Sequence, residues 1–216
     1  MRTALERVRE EPQSTKARIL AAAEEIFAAK GFAGASTREI ADKAGVNISS
    51  LHYHWESKET LYFAVFQNVY DRIVEVIRAA LEKQQRSKRQ GETIETVMGT
   101  LFDFFADHPT IPRLLVRRLV ENDEGHADIE HRVLVPAWKV FGEWTRAYGG
   151  VRRSELDANL FMLTVEGAIL FLLLDSPHVT TLLGGSVRSP ELRGRVREYV
   201  IRLVPTLLGR RERKDR

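Results

Sequence analysis

Apolar residues recur at intervals of three and four positions along most of this chain, which is the spacing of one face of an α-helix. The longest stripe predicts a helix from Lys58 to about Arg86, opened by Ser57 as its cap. Strands are hard to place anywhere. The pattern therefore predicts an all-α protein. The long stripe consists of Leu61, Val65, Val69, Ile73, Ile77 and Leu81.

The first sixty residues carry short helices with clear starts and stops. A first helix ends at Gly31, because glycine best adopts the left-handed conformation that follows a helix. The segment from Ser36 to Glu39 reads STRE, a capping box that opens a second helix, and Gly45 stops that helix. Asn47 can cap a third helix. Two short helices joined by a tight glycine turn predict a helix-turn-helix.

The rest of the chain predicts longer helices and a division into a head and a body. Pro136 is expected to kink one helix or to mark its late start. The further helices lie at about 93–106, 112–121, 128–148, 154–174 and 190–208. We divide the chain into a flexible arm (residues 1–13), a helix-turn-helix head (14–57), a helical body (58–208) and a basic tail (209–216).

One face of the third helix has no packing role. Leu51 and Trp55 stand four residues apart and can pack against the first helix. An α-helix fits the major groove of B-DNA, where hydroxyl, imidazole and methyl groups can read base edges. On or near the open face lie Ile48, Ser49, His52 and Tyr53. Candidates to hold the flanking phosphates are Thr37, Arg38, Tyr53, His54 and Lys58.

Composition changes this picture little. The chain has 216 residues, 44% of them hydrophobic and 29% charged, which is enough to bury a core and does not suggest disorder. The net charge is +3, but residues 1–60 hold nine basic and nine acidic side chains, so bulk charge gives no nucleic-acid signal. There is no cysteine, which excludes disulfides and thiolate metal sites. The DNA-binding hypothesis therefore rests on geometry.

Other function classes find little support in the sequence. The N-terminal residues lack the apolar core of a signal peptide. The apolar run from Leu160 to Leu174 contains Glu166 and is shorter than the ~20 residues of a membrane span. We predict a cytoplasmic protein with no membrane partner. No glycine-rich phosphate loop, nucleophile elbow or HExxH pattern is present, so we predict neither an enzyme nor a cofactor.

The histidines raise the question of a metal site. His52 and His54 point about 200° apart on a helix, so they cannot chelate one ion. A second group has chelate spacing, but it lies in an acidic loop and helix N-terminus, where the helix dipole alone favours Asp and Glu. We predict no metal site. The weak candidates are His126, Glu130, Asp128 and His131.

Three segments of the head, GFAGASTREIADKAGV, SSLHYHW and SKETLY, stand in one register. In order and spacing they resemble the TetR (tetracycline-repressor-like) family of bacterial transcriptional regulators over about residues 14–65. The resemblance implies a protein that binds a double-stranded DNA operator. His52 stands where the family most often has tyrosine, and Ile48 where a polar or basic residue is common. The DNA-binding residues that it implies are Thr37, Arg38, Ser49, Ser50, His52, Tyr53, His54 and Lys58.

The body is rich in large apolar side chains. For any one ring, an ordinary place in the core is the first interpretation. The resemblance implies, in addition, a cavity for a small-molecule effector among the middle helices. The residues that we predict to bind the ligand are Phe102, Phe105, Arg117, Trp138, Phe141 and Glu166.

The helix over residues 154–174 is apolar on nearly all sides, so it must bury two of them. We predict that one side packs into its own body. The other side, with the helix over 190–208, is predicted to meet a second copy in the two-fold four-helix interface that the family uses. The predicted interface residues are Leu156, Leu160, Leu163, Leu170, Leu173, Val196 and Val200.

These expectations combine into one hypothesis, a ligand-responsive homodimeric repressor of a roughly palindromic operator. A small molecule in the body would shift the helix that begins at Lys58 and so release the DNA. One alternative is a DNA-binding regulator without ligand control, either an activator or a co-regulator-dependent protein. Another is a helical enzyme or metal-binding module whose head is vestigial.

Overall fold

The computed structural model describes residues 11, 13–86, 93–121, 129–149 and 154–208, and all regular structure within them is helical. The all-α prediction is confirmed. In chain order the helices are α1 (Thr15–Gly34), α2 (Thr37–Ala44), α3 (Ile48–His54), α4 (Lys58–Arg86), α5 (Thr93–Asp107), α6 (Thr110–Val120), α7 (Val135–Gly149), α8 (Glu155–Leu173), α9 (Pro177–Leu183) and α10 (Pro190–Leu207).

Contacts group the chain into two compact units. Unit 1 comprises Met1–Arg72 and Arg113–Val135, and unit 2 comprises Ile73–Pro112 and Pro136–Arg216, in each case as far as the structure describes them. The helices α4 and α6 each contribute residues to both units. The domain boundaries drawn from the sequence stay a prediction. In the structure, unit 1 contains the start of α4 and most of α6 in addition to the three short helices of the head.

The short helices of unit 1 begin at side chains that satisfy free backbone amides. Ser14 Oγ accepts from the Ala17 amide at 3.2 Å, and Asn47 Oδ1 accepts from the Ser50 amide at 2.7 Å. The predicted capping box is complete, because the Ser36 hydroxyl accepts from the Glu39 amide while the Glu39 carboxylate accepts from the Ser36 amide. These local hydrogen bonds define the helix starts that the sequence predicted.

The core of unit 1 holds the three short helices together. Phe27 of α1, Ile40 of α2 and Leu51 of α3 have no exposed surface, and Trp55 is buried directly after α3. Tyr62 packs edge-on against Phe27 with 4.8 Å between the ring centroids. The anchoring of α3 through its inner face, which the four-residue spacing predicted, is therefore confirmed.

Unit 2 is tied together by charges as well as by its apolar core. Arg193 of α10 binds Asp107 of α5 at 2.5 Å, and Arg197 binds Asp103 at 2.8 Å. The Arg193 guanidinium lowers the pKa of the Asp107 carboxyl below its ordinary value. These pairs hold α10 along α5.

Two helical features in the second half of the chain differ from the sequence prediction. The helix predicted over 128–148 begins as a π-helical turn, Glu130–Leu134, and becomes α7 only at Val135. Pro136 lies in the first turn of α7, which matches the predicted late start. The short helix α9 was not predicted, although Ser176 caps it and Pro177 occupies its first position.

By length and composition α8 is apolar enough to cross a membrane. Along one side it buries Ala158, Val165 and Ile169, and Glu166 lies within its sequence. Helices at the core of non-membrane proteins share this composition, so α8 alone does not indicate a membrane protein.

The glycine at the turn between α2 and α3 gives a test of the fold. Gly45 has φ 66° and ψ 38°, a left-handed conformation that costs a residue with a Cβ about 1 kcal/mol. An added Cβ would meet only ordinary contacts there. We expect Gly45→Ala to lower the free energy of unfolding by about 1 kcal/mol, measured by denaturant titration at fixed protein concentration.

The matched control is the same chemical change inside a helix. Gly194 lies within α10, and a Cβ added there would meet open space. Gly194→Ala should raise stability by about 0.5–1 kcal/mol, because alanine has the higher helix propensity. Equal effects of the two substitutions would contradict the conformational argument for Gly45.

Candidate nucleic-acid interface

The outward face of α3 is a compact set of exposed side chains on a firmly anchored helix. Leu51 is fully buried, whereas Ser49 and His52 are exposed, Ile48 is 36% exposed and Tyr53 is 85% exposed. The His54 ring is half-buried and meets Tyr53 edge-on at 5.1 Å. The face predicted to enter a groove is therefore open to solvent.

Helix α2 places a second set of candidates beside this face. Arg38 is exposed and Thr37 is half-buried, both in the first turn of α2. Glu39 of the same turn forms an ion pair with Lys30 of α1, and that pair lowers the pKa of the Glu39 carboxyl. The negative charge nearest to the start of α2 is thus neutralised by a neighbouring cation.

Lys58 is turned toward its own protein. Its ammonium donates to the carbonyl oxygens of Phe32 at 2.9 Å and of Ala35 at 3.0 Å, and it lies 4.3 Å from the centroid of the Phe32 ring. An ammonium group has three N–H donors. A phosphate contact by Lys58 would have to use the third donor or replace one of these two bonds.

The sequence model of the family described as "Bacterial regulatory proteins, tetR family" matches residues 19–65. This segment contains most of α1, all of α2 and α3 and the start of α4, together with the exposed face just described. Over these residues the chain is similar to the TetR family. The resemblance of the three sequence segments to this family is confirmed.

Individual relatives are transcriptional regulators that match part of this chain. The chain is 35% identical over 89 residues to the HTH-type transcriptional activator FasR of Mycolicibacterium smegmatis, which covers 41% of this chain and 39% of that protein. Across the curated relatives, the matches span between 33% and 51% of the relative's length. The likeness to these proteins is therefore concentrated in part of each chain.

Solved structures share the fold of this chain over most of its length. The fatty acid degradation regulator FadR of Bacillus halodurans superposes with a TM-score of 0.67 at 20% identity, covering 94% of this chain and 97% of that one. FadR of Bacillus subtilis in complex with stearoyl-CoA superposes with a TM-score of 0.60 at 18% identity, covering 87% and 96%. At these identities the likeness concerns the fold alone.

Most of the predicted ligand residues lie in unit 2. Phe102, Phe105 and Phe141 are buried, and Trp138 and Glu166 are half-buried. No ion pair or hydrogen bond of the Glu166 carboxylate appears among the described residues, and burial raises its pKa to about 7. These residues stay a predicted ligand site.

Arg117 is the exception in its position, and its contact with a ligand stays a prediction. It belongs to unit 1, where its guanidinium donates to the carbonyl oxygens of Ala28 and Ala29 at the end of α1. The guanidinium fork is thus used within unit 1. The sequence alone does not indicate the contact of Arg117 with these carbonyls, because it joins residues nearly ninety positions apart.

The predicted dimer residues separate into two groups. Leu156, Leu160 and Leu163 of α8 are exposed by half or more of their surface. Their exposure leaves them available to a partner. The other four are buried in their own unit and have little surface to offer: Leu170, Leu173, Val196 and Val200. Exposed apolar residues that sequence reasoning missed are Phe171, Leu182, Tyr199 and Leu207.

The weak metal candidates fall largely outside the described residues. His126, Asp128 and the side chain of Glu130 are not described, and His131 is exposed. Within the described ranges there is no cluster of three or more His, Asp or Glu that could hold a metal ion.

Glu166 gives a test of the predicted ligand site in the absence of a ligand. The unfolded chain loses this proton near pH 4.3, whereas the folded chain keeps it up to about pH 7. Folding therefore becomes less favourable as pH rises through this window, and above it the effect is constant. Because the residue is only half-buried, we expect a loss of about 1–2 kcal/mol.

The measurement is the free energy of unfolding at pH 5, 6, 7 and 8 for the wild type and for Glu166→Gln. The glutamine variant should lack this part of the pH dependence and should be the more stable protein at pH 8. A variant that follows the wild-type profile at every pH would show that Glu166 is ionised in the folded protein.

Proposed function

We propose that this protein is a homodimeric transcriptional repressor that binds a roughly palindromic operator and is released from it by a small molecule. The observation that carries the DNA-binding part is the open face of α3. Its inner side chains, Leu51 and Trp55, are buried, and its outer side chains are uncovered. A short, rigidly anchored helix of this kind fits the major groove.

Base and phosphate contacts divide between the two short helices. Ser49 and His52 carry hydrogen-bonding groups on the open face of α3, and Tyr53 projects beside them. Thr37 and Arg38 lie in the first turn of α2, where free amides also favour an anion. Ser50, His54 and Lys58 complete the proposed DNA-binding set.

The second copy is proposed to dock on the exposed apolar side of α8 and α10. Leu156, Leu160, Leu163 and Phe171 give α8 a row of uncovered apolar side chains, and Tyr199 of α10 is exposed as well. Covering such a row removes apolar surface from water. A two-fold axis there would present two heads to two half-sites.

Ligand control is proposed from the apolar body. The similarly folded FadR of Bacillus subtilis is solved with stearoyl-CoA, so a long-chain acyl thioester is a sensible first probe. Such a ligand releases DNA only if it binds the DNA-incompetent conformation more tightly than the competent one. The proposed contact residues are Phe102, Phe105, Trp138, Phe141 and Glu166.

The sign of regulation has a second candidate. The relative FasR is named as a transcriptional activator, which favours activation as the alternative for this chain. In either case we place the protein in the bacterial cytoplasm with its operator, and we propose no enzymatic activity, since the TetR family is one of regulators.

The direct test is selection of genomic fragments by the purified protein, followed by sequencing. We expect one enriched site with two inverted half-sites about one turn of DNA apart. Recovery of fragments without a common motif would contradict operator binding. The position of the site relative to its promoter then separates repression from activation.

A sharper test concerns Ile48, the first residue of α3 and an exposed apolar side chain among polar ones. We expect its methyl groups to contact the C5-methyl of a thymine. Replacing that thymine by deoxyuridine removes only the methyl group and should weaken wild-type binding about fourfold, the value of burying one methyl group.

The controls are two variants at the same position. Ile48→Val keeps branched methyl groups and should remain sensitive to deoxyuridine, whereas Ile48→Ser should bind both operators equally. If Ile48→Ser retains the full wild-type sensitivity, another residue contacts that methyl group.

A further inference from the structure

The end of α1 is held by a charged side chain from α6. Arg117 directs its guanidinium at three acceptors: Nε donates to the Ala28 carbonyl at 3.3 Å, Nη2 to the Ala29 carbonyl at 2.9 Å, and Nη1 to Glu121 Oε1 at 3.1 Å. The backbone of α1 leaves the helical conformation at Gly31, so Ala28 and Ala29 lie at the end of its first helical segment. The last carbonyls of a helical segment lack intrahelical donors and carry partial negative charge. Arg117 therefore acts as a C-terminal cap supplied from a residue 88 or 89 positions away.

Glu121 completes the contact from the other side of the same backbone. Its Oε2 accepts from the Phe32 amide at 3.2 Å, directly after Gly31. Gly31 has φ 72° and ψ −178°, a conformation that is essentially restricted to glycine. A Cβ at this position would overlap the Glu121 carboxylate. The break in α1 and the approach of Glu121 thus require the same residue.

Lys58 of α4 holds the next few residues. By donating to the carbonyls of Phe32 and Ala35, it binds the segment that leads into Ser36, the cap of α2. The backbone of residues 28–35 therefore forms hydrogen bonds with side chains of α4 and of the segment formed by α6 and Glu121. We call the contacts of Arg117 and Glu121 with this backbone the α1–α6 clasp.

The clasp is better suited to setting geometry than to adding stability. The Arg117 and Glu121 side chains are 38% and 26% exposed, and ion pairs at such positions contribute little to folding. A guanidinium that reaches three acceptors in fixed directions does, however, restrict orientation strongly. Since α1 packs against α2 and α3, fixing its end on α6 fixes the direction in which α3 is presented.

We propose that Arg117 and Glu121 are positioning residues for operator recognition: the clasp fixes the three-helix head on α6, so that a dimer accepts one separation of half-sites. This inference rests on the proposed dimeric operator binding. It assigns these residues no contact with DNA and no contact with an effector.

The test uses the selected operator and versions with the central spacer shortened or lengthened by one base pair, which rotates one half-site against the other. Wild type should prefer one spacing sharply. Arg117→Met keeps the side-chain stem and removes the donors. It should lose affinity mainly on the preferred spacing and reduce the preference about fivefold or more.

Arg113→Met is the matched control, because Arg113 is an exposed arginine of the same helix and the charge change is identical. It should keep the wild-type spacing preference. Glu121→Gln provides a second variant, which retains an acceptor for the Phe32 amide but lacks the charge that Arg117 binds. It should reduce the preference in the same direction by a smaller factor.

The absence of cysteine permits a direct measurement of head separation. A single cysteine at exposed Asp42 of α2 carries one spin label per protomer. The distance distribution between the two labels should be narrow in the wild type, broader in Arg117→Met and unchanged in Arg113→Met. This measurement also reports whether the variant is folded and dimeric.

The outcomes separate the two levels of the proposal. A wild type that selects no operator, or that binds all spacings equally, overturns the dimeric function and the inference with it. A wild type with a sharp preference that Arg117→Met and Glu121→Gln both retain overturns the inference alone. So does a uniform loss of affinity on every spacing, because a phosphate contact or general destabilisation would produce that result.

Discussion

A protein built from short helices must satisfy many backbone groups at helix ends, and the head of this structure depends on how it does so. An eight-residue helix such as α2 has four amides at its start and four carbonyls at its end without a partner in the helix, which is about half of its backbone groups. Ser36, Asn47 and Gly45 meet this demand locally. At the end of α1 the demand is met by Arg117 and Lys58, which come from other helices. Satisfying the backbone thus also fixes how the helices are arranged.

This distinction decides what the sequence could predict. The starts of α2 and α3 follow from side chains within three residues of the amide that they bind, so the helix-turn-helix was readable from local pattern. The contacts of Arg117 join residues nearly ninety positions apart, and nothing in the local pattern separates this arginine from a pocket residue. The missed helix α9 did have a local signal, since Ser176 and Pro177 form a cap and first position that were not used.

The apolar helix α8 shows a second limit of pattern reading. With apolar residues on nearly all sides, its periodicity cannot indicate which side faces the core. The structure buries Leu170 and Leu173 and leaves Leu160 and Phe171 exposed, so a list drawn from hydrophobicity alone mixes the two sides. That one side is buried in its own unit was predictable, and the burial of a second side stays a prediction. Their direction depends on where α5 and α10 pack, which is a tertiary property.

The balanced charge of the head also acquires a structural reason. Several described cations of unit 1 pair with neighbouring carboxylates or donate to backbone carbonyls. These cations therefore already have partners within the protein. Recognition must then depend on a small number of exposed groups, of which Ile48 and Tyr53 carry no charge. If α3 binds DNA as proposed, we expect selectivity to come more from the shape and orientation of this helix than from attraction to phosphate, and the proposed function then depends on a rigid attachment. Ion pairs among the described residues of unit 1 include Lys30–Glu39, Lys43–Glu25 and Arg72–Glu24.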